Sequence, residues 1–211
     1  MDSLDKTIKF YDDYAEEYAK NIKDFLPKCE LDRFSIYMPL DDRKVLDAGC
    51  GSGIAARYLQ EKGFNVTGID LSESQLKIAK LNSQDSQFEK MDIKKITFPK
   101  ETFAGVISIG SVLHLEKKDV PLALNGFWDV LKKSGILYLS VKEGAGEGIE
   151  KDDRYNGAEK YYSYFTREEM TSILKSEKFG VLVSPMNESQ DKYRNEHPWM
   201  NFIAIKKSGS F

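Results

Sequence analysis

One stretch constrains the chain more than any other: Val45, Leu46, Asp47, Ala48, Gly49, Cys50, Gly51, Ser52 and Gly53. Two apolar residues run into an acid, three glycines follow at alternate positions, and Ile54 opens an apolar-periodic segment that reads as a helix to Lys62. A buried strand that enters a glycine turn and then a helix start is the physics of a nucleotide pocket. Glycine permits tight backbone angles and lets the main chain approach a ligand, and the helix N-terminus presents free N–H groups.

The spacing narrows the ligand. A dinucleotide turn is written G-x-G-x-x-G, with the pyrophosphate on the helix N-terminus. Here the glycines run G-x-G-x-G, and Asp47 stands two residues before the first of them. A carboxylate there adds like charge beside phosphates, which argues against a nicotinamide dehydrogenase, and it suits a ligand carrying a positive group. The unbroken string resembles the first motif of the class I S-adenosylmethionine (SAM) methyltransferases: hydrophobic, acid, any residue, then G-x-G-x-G. The resemblance runs from about Phe10 to Lys207, is strongest from Val45 to Ser111, and weakens after Val141. It implies SAM as cofactor, with Asp47, Gly49, Cys50, Gly51 and Gly53 around it.

Strand and helix signals alternate along the rest of the chain, which argues for a parallel sheet covered on both faces. Strands are predicted at 43–47, 65–70, 87–91, 103–109, 135–141, 181–185 and 199–206. Helices are predicted at 53–62, 71–82, 119–132 and 167–178. The second helix has Ser72 as N-cap and Leu76, Ile78, Ala79 and Leu81 on its apolar positions. Thr166 with Glu169 three residues on is a capping box for the last. The expected fold is therefore α/β, a three-layer Rossmann-like arrangement. That the last of seven strands is antiparallel is what the resemblance implies. At 211 residues the default is one domain over 1–211, with 1–40 as an N-terminal helical lid segment and 143–165 as a substrate-side loop.

Composition excludes several classes. The chain is 41% hydrophobic and 31% charged with a net charge of −3, and its lysine pairs are scattered, so no basic track argues for nucleic acid. Two cysteines, Cys29 and Cys50, without a CxxC disfavour a disulfide scaffold or a metal site. The first nine residues alternate charges and are no signal peptide. No apolar run approaches the roughly 18 residues that span a membrane. A cytoplasmic protein without membrane partners is expected.

Further residues gain roles from the resemblance. Asp70 ends the second strand and would accept the ribose hydroxyls, with Leu71 and Gln75 beside it. Asp92 would accept from the adenine amino group, with Met91 and Ile93 as the apolar faces about the ring. Ile109 and Ser111 follow the fourth strand, where the methyl is presented. The acid-or-Asn-Pro-Pro-aromatic signature of DNA amino-methyltransferases is missing after Ser108, and neither cysteine is placed to be a nucleophile for cytosine C5. His114 is a candidate general base. Tyr11, Tyr14 and Tyr18 share one helical stripe in a segment similar to the Y-D-x-x-A-x-x-Y helix of these domains, where such tyrosines lie near the methionine moiety. Tyr11 is thus a cofactor contact and Tyr18 a second candidate for catalysis.

Residues 144–164 hold several glycines and a dense set of tyrosines, and read as an irregular loop that shapes a substrate pocket. Lys142, Arg154, Lys160 and the His197-Pro198-Trp199 run are candidate pocket walls. The reading is a SAM-dependent methyltransferase acting on a small molecule by in-line displacement. Its alternatives are a tRNA or protein methyltransferase and a SAM-binding regulatory protein without catalysis. The acceptor atom and the oligomeric state stay open.

Overall fold

Successive residues of the central strands are buried on opposite faces and so build two cores, one on each side of a sheet. In this computed structural model residues 2–186 and 197–207 are described; position 1, positions 208–211 and the segment 187–196 of the expected 1–211 domain lie outside the described residues. The strands are β1 (Lys44–Ala48), β2 (Asn65–Asp70), β3 (Gln87–Lys90), β4 (Phe103–Ile109), β5 (Leu131–Lys142), β6 (Glu147–Asp152), β7 (Ala158–Ser163), β8 (Phe179–Met186) and β9 (Trp199–Lys206). The helices are α1 (Ser3–Asp13), α2 (Ala15–Ile22), α3 (Lys28–Tyr37), α4 (Ile54–Glu61), α5 (Glu73–Asn82), α6 (Val120–Val130) and α7 (Arg167–Ser176).

Seven strands form one sheet in the order β3-β2-β1-β4-β5-β9-β8. β1 through β5 pair in parallel, and β9 alone runs antiparallel, to both β5 and β8. The antiparallel strand is last in the chain yet sits second from the edge. The fold is the α/β Rossmann-like arrangement expected.

Val45, Ile107 and Tyr138 point to one face, where they pack with Phe34 of α3 and Leu59 of α4. Leu46, Val106, Leu137 and Leu139 point to the other, against Phe127 of α6 and Met170 of α7. Each fully buried side chain of this size contributes about 2 kcal/mol. The parallel strands are buried on both faces, so β4 carries a nearly unbroken apolar run.

Four local expectations are revised. Residues 1–40 form three helices. α1 and α2 break at Tyr14, whose φ of −113° and ψ of 21° leave the helical region, and α3 is part of the core through Leu31 and Phe34 rather than a cover. Leu81, expected on the apolar face of α5, is 76% exposed, and Gln75 takes an inward position in its place. β5 begins at Leu131, where a helix was expected to reach 132, and its pairing with β4 shifts register between Phe103 and Gly105. The irregular loop expected at 144–164 is instead an antiparallel hairpin of β6 and β7, with Glu150 opposite Lys160. Lys160 to Ser163 of β7 are buried in succession, and the tyrosines that looked like loop content are buried wall.

Gly53 is the N-cap of α4, at φ +75°, and a Cβ there would lie 2.9 Å from the Cα of Ala79 in α5. Gly53→Ala should therefore destabilise the protein by about 2 kcal/mol, from left-handed strain together with overpacking against backbone, measured as a lower urea midpoint with an unchanged slope.

Candidate functional site

The site is built where β1, β2 and β4 end level with one another. Register pairs Asp47 with Gly68 on one side and Ile107 on the other. Past β1 the chain turns sharply: Gly49 N and Cys50 N both donate to the Ile69 carbonyl, at 2.8 and 2.9 Å, and Gly53 N donates to the Cys50 carbonyl at 2.9 Å. Gly49 has φ +79°, and a Cβ there would fall 2.2 Å from that of Ser111. Ser111 Oγ in turn donates to the Ala48 carbonyl at 2.7 Å, so Ser108 Oγ is the donor in their 2.6 Å contact. The serine braces the ends of β1 and β4 against each other.

Three carboxylates stand around this turn. Asp47, 1% exposed, has its Oδ2 buried with no hydrogen-bond partner. Burial, and then the charge of Asp70, raise its pKa to about 7. Asp70 accepts from Gly51 N and Ser72 N, both at 2.9 Å. Burial raises its pKa, those amide bonds oppose the rise, and the charge of Asp12 adds to it. Asp92 accepts from Lys94 N at 2.8 Å in a turn just after β3. Met91 and Ile93 flank Asp92.

The cavity continues into an aromatic end. His114 Nδ1 lies 2.6 Å from the Tyr161 carbonyl and must donate to it, so Nε2 is the acceptor and takes the Tyr11 hydroxyl at 2.8 Å. Burial lowers the His114 pKa to about 3, with the Lys160 and Lys142 charges acting in the same direction against the Tyr161 carbonyl bond. The ring is neutral and both nitrogens are engaged. The Tyr11 hydroxyl is raised well above its usual value by burial and then by its neighbours Tyr18 and Tyr162. The Tyr11 and Tyr18 rings meet edge-on with centroids 5.0 Å apart. Lys160, 1% exposed, sits 3.9 Å over the ring of Phe10 and 3.2 Å from Asp152 Oδ2. Burial works against the Asp152 charge, yet Arg154 and Lys160 hold its pKa well below the usual range.

All of these surround one cavity of about 540 Å³. Asp47, Gly49, Cys50, Gly51, Asp70, Leu71, Gln75, Met91, Asp92, Ile93, Ile109, Ser111, Tyr11, Tyr18 and His114 all line it. Gly53 does not, since it serves the α4–α5 contact. Lys142, Arg154, Lys160 and Trp199 also line it, so the hairpin and the start of β9 do form walls. Sequence reasoning missed Ser140 and Asn201, which reach the cavity from β5 and β9 and carried no local signal. It also missed how α1 is fastened. Asp12 Oδ1 accepts from Ser72 Oγ at 2.6 Å and Ser74 N at 3.1 Å, and Thr7 Oγ1 accepts from Tyr161 N at 3.0 Å. Among the described residues no group of His, Cys, Asp and Glu could hold a metal ion, and no helix is long and apolar enough to cross a membrane.

Comparison with known proteins agrees with this geometry. Residues 46–139 match the methyltransferase domain family. YqeM of Bacillus subtilis is 41% identical over 103 residues, 46% of this chain and 42% of that protein. The ubiquinone biosynthesis O-methyltransferase of Bartonella tribocorum is 22% identical over 189 residues, 81% of this chain and 75% of that one. A SAM-dependent methyltransferase of Methanosarcina mazei has the same fold, with a TM-score of 0.73 at 20% identity over 84% of this chain and 98% of that one. Residues 46–139 thus resemble the methyltransferase domain family, and the chain has the Rossmann-like fold of that solved methyltransferase. Its match spans less than half the length of YqeM.

The capped histidine has a consequence for stability. Its folded pKa of about 3 lies below the ordinary value of 6.5, so the unfolded chain takes up the proton first as pH falls. The protein should lose stability between pH 6.5 and 4 on this account. His114→Gln should show a shallower loss across that range in urea melts at pH 7.5, 6 and 5.

Proposed function

We propose that this chain transfers the methyl group of SAM to a small-molecule acceptor. The observation that carries the reading is Asp47 Oδ2, a buried and unpartnered carboxylate oxygen beside a glycine turn, which a cationic ligand group would satisfy. The donor set fits SAM. Asp47 would face its methionine ammonium, directly or through water, and Gly49 and Gly51 give backbone clearance. Asp70, steadied by two amides, would take the ribose hydroxyls. Asp92 would accept from the adenine amino group, with Met91 and Ile93 on the ring faces.

When bound, SAM supplies an electrophilic methyl on a good leaving group. The protein's task is then alignment and exclusion of water. The α1 helix roofs the cavity, and Tyr11 and Tyr18 close its aromatic end. Tyr11 and His114 stand at the aromatic end, but burial holds His114 neutral with a pKa of about 3, which leaves it a positioning partner for the Tyr11 hydroxyl rather than a proton acceptor. A base is needed only if the nucleophile arrives protonated. The relative from Bartonella is named as an O-methyltransferase of ubiquinone biosynthesis, which makes a small hydroxyl compound the first acceptor class to test. The cavity of about 540 Å³ and the net charge of −3 favour a small molecule over tRNA. The same properties, with no membrane-crossing helix among the described residues, are consistent with action in the cytoplasm.

Calorimetry tests the reading. SAM should bind in the low-micromolar range, and Asp70→Ala should weaken it at least about tenfold; unchanged affinity would sink the ribose assignment. Below pH 7 the wild type should release a proton on binding SAM, because a cation beside Asp47 lowers a pKa that is about 7 in the free protein. Asp47→Asn should abolish that release and weaken SAM binding. The same substitution should raise the melting temperature of the free protein at pH 8, where the wild type must hold a buried charge. Formation of S-adenosylhomocysteine (SAH) with small hydroxylated acceptors then separates catalysis from binding alone.

A further inference from the structure

The aromatic half of the cavity has one wall made by strand ends. Register pairs Ser140 of β5 with Asn201 of β9, and Lys142 with Trp199, so the pleat puts all four side chains on one face of the sheet. All four line the cavity. The Tyr138 hydroxyl, two residues back along β5, donates to Asn201 Oδ1 at 2.9 Å, which sets the Nδ2 end of the amide on the other side. Lys142 Nζ stands between two rings, 5.6 Å from the centroid of Tyr162 and 5.5 Å from that of Trp199. An ammonium, an amide NH2 and a hydroxyl are thus gathered beside two aromatic faces.

Charge divides the cavity along the sheet. Asp47 and Asp70 stand on β1 and β2, and Asp92 follows β3. Lys142 ends β5, and β4 lies between β5 and β1, so the strand that carries the ammonium is two strand spacings, roughly 9–10 Å, from the strand that carries Asp47. On the Lys142 side, Lys160 and Arg154 hold Asp152 at 3.2 and 2.8 Å, and the neutral His114 ring is committed at both nitrogens. An anionic group on a ligand is repelled by the acids at one end and met by donors at the other. One ammonium matches one negative charge, the amide and hydroxyl beside it suit the two oxygens of a carboxylate, and the flanking rings suit a planar body.

Resting on the assignment of SAM to the glycine-turn half, we infer that the methyl acceptor is a planar aromatic acid, held by its carboxylate on Lys142, Asn201 and Ser140. Lys142 supplies the charge. Asn201, oriented by Tyr138, supplies direction, and the ring of the acceptor lies against Trp199 and Tyr162. SAM has a carboxylate of its own, on the same carbon as its ammonium. That group stays near Asp47, which puts the β5 and β9 donors on the acceptor's side.

The test uses the full chain saturated with SAH, titrated in a calorimeter with the three isomeric hydroxybenzoates and with the matching hydroxybenzamides, which keep ring and hydroxyl but lack the charge. At least one hydroxybenzoate should bind about tenfold or more tighter than its amide. Lys142→Met keeps an apolar stem between the two rings and should bring acid and amide within about twofold of each other, with the affinity for SAM itself within about twofold of wild type. Asn201→Asp keeps an oxygen for the Tyr138 hydroxyl and sets a negative charge among the donors. It should weaken the acid at least about tenfold and leave the amide nearly unchanged, whereas a purely structural Asn201 would weaken both alike. Acids that bind no better than their amides, or that fail to bind at millimolar concentration, would overturn the inference and leave the SAM site standing. So would a Lys142→Met protein that loses SAM as far as it loses the acid, since Lys142 would then hold the cofactor's own carboxylate. A wild type that binds neither SAM nor SAH would overturn both readings.

Discussion

The Ile69 carbonyl oxygen accepts two backbone N–H groups from the turn after β1, and the geometry of the site follows from that contact. It ties the glycine turn to the end of β2, so the two strand ends that carry Asp47 and Asp70 cannot separate. The parallel register of β1 between β2 and β4 sets the depth of both acids. Gly49 is required because Ser111 approaches so closely on the other side that no side chain fits. A surface loop would hydrate its acids. Here the surrounding sheet and helices dehydrate them, and a buried carboxylate without a counter-ion is held at a cost that a proton or a cationic ligand relieves.

A second theme is the division of the cavity into unlike halves. The glycine-turn half is acidic and lined by backbone. The far half is aromatic and carries cationic side chains from the hairpin and β5, with Lys160 against Asp152 and over Phe10. The α1 helix spans both, through Asp12 on the acidic side and Tyr11 on the aromatic side. A sulfonium donor and an acceptor that must meet in a dry space would each find a suitable environment, and the roof that excludes water also touches both. The neutral histidine belongs to this roof. With Nδ1 committed to the Tyr161 carbonyl, its remaining nitrogen communicates with the cavity through the Tyr11 hydroxyl.

Much of this was legible in residue order. Alternating periodicity located six of the seven sheet strands to within a residue or two, because parallel strands buried on both faces leave long apolar runs such as 103–109. β5 was found at its far end only, since Leu131 to Ser134 holds one apolar residue followed by three polar ones and carries no period of two that would mark a strand. The hairpin of 147–163 was read as a loop because its glycines and charges suggest a turn-rich segment. Its strand character comes from cross-strand pairing and from α1 packing on β7, and neither is local. Leu81 misled because it is apolar: at 3.6 residues per turn it lies across the helix from the buried Gln75, Leu76 and Ala79, on the solvent side.

By itself the sequence determined the strand-turn-helix unit at 45–54 and the acids at 47, 70 and 92, and with them the resemblance to the SAM methyltransferases. Those features are local, since spacing along one strand and one turn is fixed by covalent geometry. Only the tertiary structure decided that Tyr11 caps His114, that Asp12 fastens the lid to the same serine that steadies Asp70, and that Lys160 is buried beside Asp152 under the tyrosines. Each of these joins segments from about 60 to 150 residues apart or closes a wall between separate elements. Such contacts are selected by packing and by the shortage of solvent inside the cavity, neither of which residue order displays.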